Sequence, residues 1–256
     1  MDLGLSGKTA LITGAGRGLG ASIARTLAEE GVRILATSRG ATALSAVIES
    51  LPRPQDHASI SIDLEQSEGV PKLLSWIEST GAQIDIVVNN VGGTLGLDDP
   101  LAGYGDLSRV LGLNLGVAVD INRFLIPTMI SRRWGRICHV SSISALENQG
   151  PPAYCAAKAA LNAYVRSLGR YVAPHNVILT GIMPGAVFTE GGYWDVASTD
   201  RPDHVDRYLA ERMAIKRFGT ESEISDSVAY LVSERASFLV GSMLLADGGQ
   251  GRSFHP

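Results

Sequence analysis

Tyr154 stands four residues before Lys158, and that lysine is one of only 4 among 22 cationic residues, the others being Lys8, Lys72 and Lys216. On a helix, side chains four apart share a face. A phenol ionises near about 10 and is a poor acid–base group at neutral pH; an adjacent ammonium favours phenolate and lowers that value. The pair could therefore give and take a proton. A compact ammonium can also reach hydroxyl groups and join a proton relay, which suits it better than a guanidinium in a chain otherwise rich in Arg. Taken alone, the pair could equally be a solvated helix face. Its meaning depends on what surrounds it.

A second group is the stretch TGAGRGLG at 13–20. It follows a short apolar, β-branched run and opens a helical pattern. Glycines there permit a tight turn and let a pyrophosphate approach the backbone, while the helix N-terminus offers free N–H groups. The spacing leaves the register open. After Gly14 and Gly16 a third glycine is due where Leu19 stands, whereas Gly16, Gly18 and Ala21 fit a relaxed form. A site selective for NAD places an acidic residue at the end of the second strand. Ser38 occupies that position here and Arg39 follows. A guanidinium can hold a ribose 2′-phosphate through two bonds. The expected cofactor is NADP(H), with NAD(H) as the alternative if Arg39 is only a solvated charge.

Alternating elements must position these groups. Strand patterns at 9–13, 32–38, 58–63, 85–88, 135–142, 176–182 and 242–247 alternate with helical patterns at 18–30, 41–51, 66–80, 106–132, 152–173 and 221–234. This order predicts an α/β doubly wound Rossmann fold: a predominantly parallel, seven-stranded sheet with helices on both faces. Residues 1–256 read as a single dinucleotide-binding catalytic domain. The stretch 188–212 lacks clear pattern. Its glycine pair, Pro202 and clustered charges suggest a mobile substrate lid.

Composition narrows the partners. The net charge of −4 and the scattered basic residues give no nucleic-acid stripe or polybasic membrane patch. The apolar stretch at 111–130 is broken by Asn114, Asp120, Asn122 and Arg123, so a buried helix or helix pair is expected rather than a membrane span. The start of the chain shows no basic leader followed by an apolar run. Cys138 and Cys155 have no metal-ligand spacing and the five His are dispersed, so reduced thiols, no metal and a cytoplasmic location are expected.

In order along nearly the whole chain, the motifs resemble those of the short-chain dehydrogenase/reductase family. They are Thr13-Gly14-x-x-x-Gly18-x-Gly20, Asn89-Asn90-Val91-Gly92, Asn114, Ser141-Ser142, Tyr154-x-x-x-Lys158, Pro184-Gly185 with Thr189, and Asp247-Gly248-Gly249. The likeness is to the single-domain branch with its 3-oxoacyl-[acyl-carrier-protein] reductase-like members. It implies that Asn114, Ser142, Tyr154 and Lys158 are catalytic. Tyr154 would exchange a proton with the carbonyl or alcohol oxygen of a small-molecule substrate, a serine would steady that oxygen, and Asn114 would hold a water linking Lys158 to solvent. It further implies cofactor contacts from Gly14, Arg17, Gly18, Leu19, Gly20, Ser38, Arg39, Asp63, Leu64, Asn90, Gly92, Tyr154, Lys158, Pro184, Gly185, Val187 and Thr189. Arg17 would give a second contact to the 2′-phosphate and Asp63 an adenine contact.

Two guides to the serine disagree. The family's usual thirteen-residue separation from the tyrosine selects Ser141. Matching strand five selects Ser142 and places a one-residue deletion in the loop 143–153, where a deletion is tolerated best. Ser142 is the choice made here. Val91 replaces the family's usual alanine. The expected activity is reversible, NADP(H)-dependent reduction of a carbonyl to a secondary alcohol. An NAD-dependent sugar or hydroxysteroid dehydrogenase is the enzymatic alternative, and a non-enzymatic dinucleotide-sensing regulator the alternative of a different class. In the family the helices at 106–132 and 152–173 pack against a neighbouring subunit, so a homotetramer, or at least a dimer, is expected.

Overall fold

The computed structural model describes residues 1–252. Its sheet is parallel throughout, in the order β3-β2-β1-β4-β5-β6-β7. The strands are β1 (Thr9–Thr13), β2 (Arg33–Ser38), β3 (Ala58–Ser61), β4 (Ile86–Asn89), β5 (Gly135–Val140), β6 (Val177–Pro184) and β7 (Met243–Ala246). The four central ones, β1, β4, β5 and β6, are buried along their whole length. They therefore read as continuous apolar runs rather than alternating ones, as strands covered on both faces do.

Alternate residues of each strand feed two cores. Ala10, Ile12, Ile34, Ala36, Ile86 and Val88 pack with one layer, formed by α1 (Gly18–Glu29), α2 (Ala41–Ser50) and α9 (Glu221–Leu231). Leu11, Leu35, Val87, Ile137 and Leu179 face the other, formed by α3 (Gly69–Ser79), α5 (Val117–Arg132) and α6 (Pro152–Val172). This is the expected doubly wound Rossmann fold. Strand order reverses between β1 and β4, so their C-terminal ends open a crevice at the switch point.

Two stretches differ from the sequence reading. The helical pattern at 106–132 resolves into α4 (Tyr104–Leu111), a π-helical turn at Gly112–Gly116, and α5. The combined helix Tyr104–Arg132 is long and apolar enough to cross a membrane. Its Ile121, Leu125 and Met129 are instead buried against the sheet. The segment 188–212 is not patternless, because it forms α7 (Tyr193–Asp200) and α8 (Pro202–Arg212). Pro202 opens α8 at a position where its missing N–H costs nothing. Gly192 is the N-cap of α7 rather than part of a loop. These helices bury little besides Ala197 and Val205, so their apolar stripe is too thin to show as periodicity. They are held by aromatic packing: the Trp194 ring centroid lies 4.2 Å from that of Tyr208 and 4.7 Å from that of Phe218.

Candidate active site

The glycine loop and the end of β4 are tied together by one hydroxyl and one amide. Thr13 Oγ1 accepts hydrogen bonds from the backbone N–H groups of Asn90 (3.0 Å) and Val91 (3.1 Å). Asn90 Nδ2 donates to the carbonyls of Thr13 (3.0 Å) and Gly14 (3.2 Å). The expected cofactor residue Asn90 therefore also fixes the loop's shape. Gly18, which opens α1, has φ of +57°, in the left-handed region that glycine tolerates. No side chain caps the first turn of α1, which leaves its N–H groups free for an anion. Gly14, Leu19 and Gly20 complete this turn, and Thr189 lies against Gly18.

At the end of β2, Ser38 is half-buried and Arg39 exposed. Gly16 approaches so closely that a Cβ there would sit 2.5 Å from Ser38 Oγ. Arg17 is exposed and approaches Gly191, at the start of the 188–212 segment. Asp63 turns its carboxylate back on its own loop, accepting from the Glu65 N–H at 3.0 Å, while Leu64 is buried in the core. That geometry is the turn cap a strand-end Asp often makes. Pro184 ends β6. Gly185 packs on Asp247 and Gln250, and Val187 pairs with Gly219.

The groups with proton chemistry meet one crossover further along the sheet. Lys158 is buried, and its Nζ donates to the carbonyl of Val140, the last residue of β5, at 2.9 Å. Burial lowers its pKa from the ordinary 10.5 to about 8. A Cβ on Gly92 would lie 2.9 Å from Lys158 Nζ and 2.6 Å from Asn114 Oδ1, so only glycine fits between them. Asn114 sits in the π-helical turn, a feature frequent at functional sites. Three of the four hydrogen-bonding positions of its side chain are used. It accepts from the Gly93 N–H (3.0 Å) and donates to the carbonyls of Gly93 (2.8 Å) and Val110 (2.9 Å).

The two serines part company here. Ser141 is buried and donates to Asn162 Oδ1 at 2.6 Å. Ser142 donates to the Ser144 hydroxyl at 3.0 Å and accepts from the Ser144 N–H, with its hydroxyl beside the Tyr154 phenol. The structure thus brings Ser142, Tyr154 and Lys158 to one face, with Asn114 behind Gly92.

One electrostatic expectation is reversed. Burial raises the Tyr154 pKa, and the neighbouring Ser142 hydroxyl only partly offsets this. Lys158 Nζ lies 5.6 Å from the tyrosine ring centroid and is aimed at Val140, so its charge does not compensate. The protein alone keeps Tyr154 protonated. His139 is fully buried and its pKa falls to about 4, chiefly through burial and further through the Lys158 charge. Its Nε2 accepts from Asn122 Nδ2 (3.0 Å) and Asn89 Nδ2 (3.2 Å), so a neutral ring adds no second positive charge near Lys158.

Sequence reasoning assigned no role to Thr13, Ser144, Asn162 or His139. A single hydroxyl, amide or imidazole carries no local signal of its partner. Among the described residues, no three His, Cys, Asp or Glu side chains gather as a metal-ligand group.

With this fold and cleft described, comparison with known proteins defines the class. The short chain dehydrogenase family model matches residues 8–193. The chain is 29% identical to 3-oxoacyl-[acyl-carrier-protein] reductase FabG of Aquifex aeolicus (strain VF5), covering 97% of this chain and 99% of that one. Among solved structures, a 3-oxoacyl (acyl-carrier-protein) reductase from Agrobacterium tumefaciens C58 with NADP bound is 31% identical. It superposes with a TM-score of 0.89 over 97% of this chain and 96% of that one. L-sorbose reductase from Gluconobacter frateurii, complexed with NADPH and L-sorbose, is 30% identical, with a TM-score of 0.91 over 99% and 100% of the two chains. The chain belongs to the short-chain dehydrogenase/reductase family. It is an NAD(P)-dependent oxidoreductase.

The buried lysine makes stability depend on pH. Below about pH 8 the folded chain holds the desolvated charge at full cost. From about 8 to 10.5 the folded lysine gives up its proton while the unfolded one keeps it, so stability rises with pH. In urea unfolding, wild type should gain on Lys158→Met across this range, by on the order of 3 kcal/mol. A difference that stays constant with pH would contradict the burial penalty.

Proposed function

We propose that this oxidoreductase interconverts a small-molecule carbonyl and a secondary alcohol using NADP(H), with Tyr154 as the general acid and base. What supports this is the placement of the Ser142 hydroxyl beside the buried Tyr154 phenol, one helical turn from a buried ammonium. Bound NADP(H) would supply hydride to the carbonyl carbon, or accept it in reverse. As the carbonyl oxygen gains charge, Tyr154 donates its proton and Ser142 donates a hydrogen bond. Because burial keeps the phenol protonated, the protein alone favours the acid role needed for reduction. Lys158 holds positive charge near the phenolate that results, and Asn114 keeps Gly93 and the β4 loop in place beside it.

NADP(H) is favoured by Ser38 where an acidic residue would repel a 2′-phosphate, and by Arg17 and Arg39. Both arginines are exposed, and neither has an ion-pair partner among the described residues. The glycine cradle, the uncapped helix start and these two guanidiniums suit a phosphorylated dinucleotide. The helices α7 and α8 serve as the substrate lid of 188–212, since Thr189, near the start of that segment, lies against the glycine loop. Reduced Cys138 and Cys155 suit a cytoplasmic protein.

The chain also assembles as a homotetramer. Supporting this, β7 is an edge strand whose Leu244 and Leu245 are 40% and 39% exposed, and α6 exposes the small residues Ala156, Ala159 and Ala163.

Two measurements test these readings. With a panel of ketones, 3-oxo esters and keto sugars, turnover should occur with NADPH. Fluorescence titration should show NADPH binding at least ten-fold tighter than NADH, since a bidentate charged bond is worth more than about 1.4 kcal/mol. Arg39→Asp should reverse the preference; equal or tighter NADH binding by wild type would refute it. Light scattering at micromolar concentration should give four times the 27.0 kDa chain mass, and a monomer would refute the assembly.

A further inference from the structure

A glutamine amide offers two acceptor sites and two donors, so buried it must be satisfied by several partners at once. Gln250 is 4% exposed, and three separate segments satisfy it. Its Oε1 accepts from the Ala186 N–H at 2.7 Å, just past Pro184-Gly185. Its Nε2 donates to the Tyr208 hydroxyl on α8 at 2.7 Å, and to Gln149 Oε1 in the loop after Ser142 at 3.5 Å. Arg252, two residues on, repeats the pattern. Its N–H donates to Glu147 Oε1 at 2.7 Å, and its Nη2 donates to the Glu211 carbonyl at the end of α8 at 2.6 Å.

Aromatic packing apart, the walls thus joined bury little apolar surface. Helix α8 buries only Val205 of its own residues. The loop from Glu147 to Gly150 is half-buried or exposed. Gly150 of that loop lies against the Tyr154 ring. Segments with little apolar burial open locally at low free energy, so a polar link between them can decide whether they open separately or together.

We propose that Gln250 is a positioning residue that couples the lid helix α8 to the 143–150 loop, so that the two walls of the substrate cleft close as one unit. It acts through Tyr208 and Gln149 and touches no reacting atom. The coupling rests on the reading of 188–212 as a substrate-facing lid. It extends that reading by making the far C-terminal segment part of the closing mechanism. Equilibrium coupling is reciprocal, so a change confined to the lid must be felt in the loop.

Amide hydrogen exchange on the full chain without added ligand tests this. Tyr208→Phe removes one hydroxyl from the lid and leaves Ala186 and Gln149 unaltered. It should speed exchange about five-fold, the weight of one hydrogen bond, in both 203–212 and 145–150. Exchange in β1 and β4 should not change. Gln250→Leu should do the same to a larger extent. The coupling is overturned if only 203–212 responds, if neither segment responds, or if β1 and β4 speed up equally, which would mean loss of global stability. Turnover of the carbonyl panel by wild type is a separate readout. Inactivity there would sink the proposed reaction and leave the exchange result standing.

Discussion

Lys158 places an ammonium out of reach of bulk water and gives it one backbone carbonyl, that of Val140. An unpartnered charge there would cost several kcal/mol, so the end of β5 and the middle of α6 must keep this register. The next two residues inherit the constraint. Ser141, still bonded to β6 through its N–H, turns to Asn162 on α6, and Ser142 turns to Tyr154. Gly92 is confined by the same ammonium, and Asn114 closes the other side of it. The cleft is thus organised around a single desolvated positive charge.

That charge shapes the site more by position than by direct electrostatics on the tyrosine. Burial of Tyr154 outweighs it, so the free protein holds a protonated phenol. The sheet helps to keep the region from accumulating charge, because His139 is neutral among two asparagines and a backbone carbonyl. Positive charge available to a ligand lies instead at the other end of the crevice, on Arg17 and Arg39. A buried end holding Tyr154 and Lys158 and an exposed cationic end suit a long ligand with a phosphorylated tail.

Much of this was legible in the sequence because local pattern and global fold agree. The apolar runs of β1, β4, β5 and β6 are continuous because these strands are buried on both faces, and that pattern survives without tertiary knowledge. Spacing on α6 gave the shared face of Tyr154 and Lys158. Other features depend on partners distant in sequence. Thr13 opens the glycine motif in the sequence, yet nothing there shows that its hydroxyl bridges to residues 77 and 78 positions away. Helices α7 and α8 were missed because aromatic contacts, not an apolar stripe, hold them. The direction of the Tyr154 shift was misjudged because spacing shows that two groups share a face and says nothing of where an ammonium is aimed.

From the fixed end of β5, Ser142 and not its neighbour is expected to reach the reacting oxygen. Steady-state turnover of Ser142→Ala and Ser141→Ala on a carbonyl that wild type reduces tests it most directly. Ser142→Ala should lose about two orders of magnitude in kcat, the scale for removing one donor to a developing oxyanion. Ser141→Ala should stay within several-fold of wild type, and both should bind NADPH as wild type does. An inactive Ser141→Ala beside a normal Ser142→Ala would contradict the account and restore the thirteen-residue spacing as the guide to the serine.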